Sequence, residues 1–239
     1  MDELISIIIP VYNHAAALQA SLTSLIGQTY RPLEVVIVND GSTDGFEKLL
    51  PILQDFGEKN EFPLVILNQE NQGSNAARNR GFKKSSGKFV IFWDADTVAE
   101  PGMLQKMHQA LVDNPSEAYV YSRFKFGWKT MRSAPFNAEE LKKNNYIDTT
   151  SLLRREAFPG FDESLKRFQD WDVWLTLLAQ GKTGLFIPEV LFTKLTGERD
   201  EIKISSWLPT FMYKLPWKNK NMASYELAKK KIFEKHQLS

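Results

Sequence analysis

Along the first hundred residues, short apolar runs alternate with segments of helical period. Residues 5–9, 33–38, 64–67 and 89–93 are short, mainly aliphatic, β-branched or aromatic stretches of strand length, and 89–93 is unbroken, the pattern of a strand buried on both faces. Between them, 15–26 sets Leu18, Leu22, Leu25 and Ile26 on one helical face, 46–56 is a second helix interrupted near Pro51, and 74–84 is a third. This βαβα order predicts an α/β fold with a mostly parallel sheet and right-handed crossovers. The second half is looser: a helix over 101–112, a strand over 118–126 and a variable stretch over 127–145. Trp171, Trp174, Leu175 and Leu178 then fall at i, i+3, i+4 and i+7, an amphipathic helix that ends near Gly181.

In open α/β sheets, ligands sit beyond the carboxyl ends of the strands. The polar residues obey that demand. Strand one runs into Pro10, Val11, Tyr12 and Asn13, strand two into 39–44, strand three into 68–73, and strand four into Asp94, Ala95 and Asp96. Two carboxylates around one small residue suit a hard divalent cation such as Mg²⁺ or Mn²⁺, with a diphosphate completing the oxygen shell. The same tripeptide also closes a strand as a plain polar turn. Tyr12 offers a ring for base stacking, and Asp40 an acceptor for the imide N–H of uracil. Asp-Gly-Ser is equally turn chemistry, and Asp44 a cap for the next helix. Arg78 and Arg80 lie early in a helix capped by Ser74, where the macrodipole disfavours cations and an anionic ligand would compensate. Gly73 and Gly81 permit close backbone approach, or mark a turn and a helix break.

Composition removes several classes. With 239 residues and a net charge of +1, the chain is long enough for a sizeable core and has no global basic field for nucleic acid. It has no cysteine, which excludes disulfides, thiolate nucleophiles and Cys-ligated zinc. His14, His108 and His236 are too scattered for a zinc motif. No run approaches the roughly 18 apolar residues of a spanning helix, and the acidic N-terminus is unlike a signal peptide. The expectation is a cytoplasmic protein.

Four segments in order, Pro10-Val-Tyr-Asn13, Val38-Asn-Asp-Gly-Ser-Thr-Asp44, Asn71-Gln-Gly-Ser-Asn-Ala-Ala-Arg-Asn-Arg-Gly81 and Asp94-Ala-Asp96, closely resemble family 2 glycosyltransferases of the GT-A fold. The resemblance spans about residues 4–193 and implies an inverting enzyme using UDP-, GDP- or dTDP-sugars. It divides the chain into a transferase domain over 1–202, with a nucleotide-sugar half to 100 and an acceptor half beyond, and an extension over 203–239. By the same resemblance, Pro10, Val11, Tyr12, Asn13, Asp40, Gly73, Arg78, Asp94 and Ala95 bind the nucleotide sugar. Asp96, with Asp94, holds Mn²⁺ or Mg²⁺.

An inverting transferase needs a base for the acceptor hydroxyl, and the family's base lies in a Glu-Asp pair that here reads Gln169-Asp170. Asp170 is expected as that base, beside Trp171, where partial desolvation raises a carboxylate pKa. Asp172 is expected to support it. Asp148, Thr149 and Thr150 are expected to meet a glycan or lipid-linked acceptor, although a polar strand explains them nearly as well. A first-turn acid or helix cap equally explains Asp170 and Asp172. Many relatives add a metal-ligating histidine after the last strand, and 190–198 holds none.

The extension carries eight lysines against two glutamates, with Trp207, Phe211, Tyr213 and Trp217 as an aromatic cluster. It suits peripheral docking on an anionic membrane, a partner transferase, or a helix packed on its own domain. Two rival functions stay open. Phe92-Trp-Asp-Ala-Asp-Thr97 also resembles the nucleophile motif of haloacid-dehalogenase phosphatases, and a non-catalytic sugar-nucleotide or glycan-binding module would use the same cleft.

Overall fold

The computed structural model describes residues 3–59, 62–196 and 220–238. The strands are β1 (Ile5–Val11), β2 (Leu33–Asp40), β3 (Leu64–Gln69), β4 (Phe89–Phe92), β5 (Thr97–Ala99), β6 (Tyr119–Phe126), β7 (Lys129–Thr130), β8 (Leu152–Arg154) and β9 (Gly184–Lys194). The helices are α1 (Ala15–Ile26), α2 (Leu50–Lys59), α3 (Ser74–Lys84), α4 (Met103–Asp113), α5 (Ala138–Lys143), α6 (Gln169–Ala179) and α7 (Lys220–Lys235).

One sheet runs through the molecule in the order β3-β2-β1-β4-β8-β6-β9-β5, with β7 as a hairpin partner of β6. The first four strands in that order are all parallel, as the βαβα pattern predicts. Beyond β4 the direction mixes: β8 is antiparallel to both β4 and β6, β9 is parallel to β6, and β5 is antiparallel to β9. A three-residue strand such as β5 or β8 is too short to carry a period, so the apolar pattern does not reveal it.

The apolar runs of β1 and β4 are buried on both faces. Ile7, Ile9, Phe89, Ile91 and Trp93 face one core with Leu18 of α1 and Met107 of α4. Ile8, Val90 and Phe92 face a second core with Trp171 and Trp174 of α6. Each such side chain contributes about 1.5–3 kcal/mol relative to exposure. Gly81 is where α3 approaches the sheet: a Cβ there would lie 2.5 Å from Ile8 Cγ2 and 3.2 Å from Val38 Cγ2, so close packing explains it.

Three local expectations change. The helix expected over 46–56 is a 3₁₀ turn (Phe46–Leu49) followed by α2, with Pro51 in the first turn where a missing N–H costs nothing. Gly73, not Ser74, caps α3, at φ 93°, a conformation other residues adopt only with strain. Asp44 reaches back rather than forward, its Oδ2 accepting from Ala15 N at 2.8 Å at the start of α1.

The C-terminal helix docks on its own chain. Ile232 is fully buried in the second core, and the Phe233 ring meets Trp171 edge-on at 5.9 Å. The aromatic cluster at Trp207, Phe211, Tyr213 and Trp217 lies outside the described residues. Among the described residues, no helix is long and apolar enough to cross a membrane.

Candidate active site

The carboxyl ends of β1, β2 and β4 and the N-terminus of α3 enclose a cavity of about 350 Å³. Pro10, Val11, Tyr12, Asp40, Gly73, Arg78, Asp94, Ala95 and Asp96 all line it, joined by His14, Asn71 and Ser74. The sequence pattern therefore finds nearly the whole wall. Asn13 is the departure: its Oδ1 accepts from Thr43 N at 2.7 Å and its N–H donates to Ser42 Oγ at 3.1 Å, so it braces the loop after β2 instead of lining the cavity.

Asp40 is 2% exposed, and its carboxylate accepts from Gln69 Nε2, Gln72 N and Gly73 N at 2.7, 2.8 and 2.9 Å. Those bonds hold the loop ahead of α3 against the cavity. Arg78 is 8% exposed, with one guanidinium nitrogen donating to Asp94 Oδ1 at 2.7 Å and its Nε–H without a protein partner. A buried unpaired donor costs about 1–3 kcal/mol, a penalty that an anionic ligand relieves.

The residue that links this cavity to the next one is Lys194, the last residue of β9. Its Nζ donates to Asp94 Oδ2 at 2.7 Å and pairs with Asp148 Oδ2 at 2.8 Å. Asp94 lines the first cavity; Lys194 and Asp148 line a second of about 550 Å³ together with Asp170. The two hollows thus share the Asp94–Lys194 ion pair as a wall. Burial alone would raise the Asp94 pKa, but the charges of Lys194 and Arg78 outweigh it and hold the carboxyl well below the usual range. Burial lowers the Lys194 pKa less than Asp148, Asp94 and Asp96 raise it, so the ammonium stays charged. Asp96 is pushed up to about 6, by burial first and by the Asp94 charge second.

Asp170 sits where the Gln169-Asp170 pair predicts. It lies in the first turn of α6, its Oδ1 accepts from Trp171 N at 2.9 Å, and its pKa is raised by burial and then by the nearby Asp148 charge. Phe168, the residue before α6, takes a left-handed conformation at φ 60°, costing on the order of 1–3 kcal/mol. Asp172 does not assist it. On a helix, positions two apart point about 200° from each other. Asp172, 3% exposed, instead binds Lys235 at 2.9 Å and His236 at 2.7 Å on the α7 side. Thr149 and Thr150 are buried behind the cavity lining, leaving Asp148 as the member of that trio that lines it.

A divalent cation fits these residues through one carboxylate. Asp96 Oδ1 is buried with no hydrogen-bond partner, the state expected of an oxygen reserved for a ligand. Asp94, by contrast, has each oxygen engaged by a cation, Arg78 on Oδ1 and Lys194 on Oδ2. Among the described residues no three acids or histidines cluster as a protein-only metal cage. Mg²⁺ commonly binds through one or two carboxylates plus substrate phosphates and water, which is the chemistry available here.

Residues 6–169 match the family described as Glycosyl transferase family 2. The chain belongs to that family. This family 2 chain is 36% identical over 126 residues to the glycosyltransferase GlyA of Streptococcus pneumoniae, covering 53% of itself and 18% of GlyA. Among solved structures it resembles S. aureus TarS 1–349 in complex with UDP, with a TM-score of 0.66, 22% identity, and coverage of 84% of this chain and 63% of that one. It also resembles the mannosyltransferase PcManGT from Pyrobaculum calidifontis in complex with GDP-Man and Mn²⁺, with a TM-score of 0.67, 19% identity, and coverage of 87% and 60%. The family 2 chain therefore has the GT-A fold, and it spans less than a fifth of the length of GlyA.

Proposed function

We propose that this chain transfers a sugar, with inversion, from a nucleotide diphosphate donor, preferably a UDP-sugar, to a hydroxyl of a saccharide or lipid-linked acceptor. The observation that carries the reading is the pair of cavities joined at Lys194, one with nucleotide-suited groups and the other with Asp170. Tyr12, half exposed at the rim, stacks on the base, and Asp40 Oδ2, which keeps an open lone pair, accepts the uracil N–H. Arg78 and Lys194 bring positive charge toward the diphosphate.

Asp170 removes the acceptor hydroxyl proton as that oxygen attacks the anomeric carbon. The bond from that carbon to the donor phosphate oxygen breaks, and the nucleoside diphosphate leaves with the electron pair. Burial and Asp148 keep Asp170 basic enough to take the proton. A bound Mn²⁺ or Mg²⁺ supplies charge for the departing diphosphate, and Asp96 is the residue that would hold it. Relatives and neighbours support a nucleotide-sugar donor, since TarS binds UDP and PcManGT binds GDP-Man and Mn²⁺. The reading places the enzyme in the cytoplasm, with 203–239 as its contact to an anionic membrane surface; Lys230 and Lys231 on the exposed side of α7 support that contact.

Thermal unfolding with UDP, GDP and dTDP, with and without Mn²⁺, tests the donor site. A nucleotide at 100 times its Kd stabilises by about 2.7 kcal/mol, and UDP is expected to give the largest shift. No shift with any nucleotide would overturn the assignment.

A further inference from the structure

The second cavity has a charge pattern that sugar transfer alone does not require. Among the described residues, its lining contains Arg132, Lys143, Lys166, Arg167 and Lys229 in addition to Lys194, against two carboxylates, Asp148 and Asp170. The chain as a whole has 30 basic and 29 acidic residues, so this imbalance is local. Both acids sit with Lys194: Asp148 is bonded to its ammonium, and Asp170 feels its charge. Among the described residues, the contacts of two of the other cations lie outside the cavity lining. Arg132 pairs with Glu140 at 2.9 Å in an exposed contact, Lys229 lies over the Phe233 ring at 5.2 Å, and Lys166 is exposed.

These cations come from four separate parts of the chain, including α5, the loop before α6, and α7. Their convergence on one hollow is a property of the fold, not of a basic run in sequence. A cleft lined by one sign of charge focuses its field and concentrates ligands of the other sign. The same walls carry the half-buried Tyr225 ring, an apolar face against which a sugar ring can lie, alongside the buried Tyr146 and Trp171. Resting on the donor and base assignment above, we propose that the acceptor is an acidic saccharide, with a phosphate or carboxylate near the attacking hydroxyl held by Lys143, Lys166 and Lys229 while Asp170 meets the hydroxyl itself.

An array of immobilised neutral, uronate- or sialate-bearing and phosphorylated glycans, probed with the full chain plus UDP, tests this. Acidic glycans are expected to bind at least tenfold more tightly than matched neutral ones, and the carboxylate and phosphate arms identify which anion is preferred. The double variant Lys143→Glu/Lys166→Glu should lose that preference. Lys84→Glu, an exposed lysine of α3 away from the cavity, should keep it. Equal binding of neutral and acidic glycans, no glycan binding, or an unchanged double variant overturns the proposal. Binding to phosphatidylglycerol vesicles in place of glycans, abolished by the double variant, overturns it in favour of a membrane surface. The UDP thermal shift, measured on all three proteins, separates this outcome from a failed donor assignment: a retained shift without acidic preference condemns the acceptor class alone.

Discussion

Lys194 is the residue on which the site's electrostatics turn. It is separated by 100 residues from Asp94, a contact that no local pattern announces. Reading the exit of the last strand for a histidine finds none, and only the fold shows that a lysine there closes the wall between the cavities. Removing one partner of a buried ion pair strands the other charge and typically costs about 3–5 kcal/mol. Lys194→Met is therefore expected to lower the stability measured by urea unfolding by several kcal/mol, and a change under about 0.5 kcal/mol would contradict its buried bridging role. Pro10, Tyr12, Asp40, Arg78 and Asp96 were legible because each sits at a strand exit or the following helix start, where chemistry and position coincide. Asp172 was misread because adjacency in sequence hides the opposite faces of α6. The pH profile tests the base. Asp170 works deprotonated, so kcat/KM rises with pH through its folded pKa, which burial and then Asp148 lift above the ordinary carboxylate range. Asp148→Asn keeps an acceptor for Thr150 N but removes a negative charge, so the acidic limb should move to lower pH. A limb that stays in place or moves up contradicts the coupling.

At the scale of elements, α7 shows which interactions decide docking. Lys235 reaches Asp162 at 2.7 Å, and that bond, with help from Ser164, holds the Asp162 carboxyl down to about 2. Lys235 is 38% exposed, so the pair contributes at most a few tenths to about 1 kcal/mol. Ile232 matters more. Truncating a fully buried Ile to Ala costs about 2–5 kcal/mol, so Ile232→Ala should lower the unfolding free energy by that amount, measured by denaturant titration. A loss under about 0.5 kcal/mol would mean that α7 is not part of the folded core. Strands with apolar runs of four or more residues, and the longer amphipathic helices, were readable from the pattern. Short β5, β7 and β8 were not, since their stability lies in partners far along the chain, and the sequence left the docked α7 as one of three alternatives.

For the whole molecule, the parallel half of the sheet presents strand exits to one cavity, and the mixed half turns β8 and β9 so that Asp148 and Lys194 meet them. The α/β class and the donor side follow from alternation of elements, whereas the acceptor side depends on the change of strand direction after β4, which sequence period does not encode. The proposed function thereby gives donor binding and proton removal to different halves of one fold. The most direct test is Asp170→Asn, assayed for both UDP affinity and sugar transfer. UDP affinity within twofold of the wild type, with transfer reduced about 10²- to 10⁴-fold, is the predicted result. Transfer retained at the wild-type rate would contradict a base at residue 170 that deprotonates the acceptor beside a donor held at Asp40, Arg78 and Asp96.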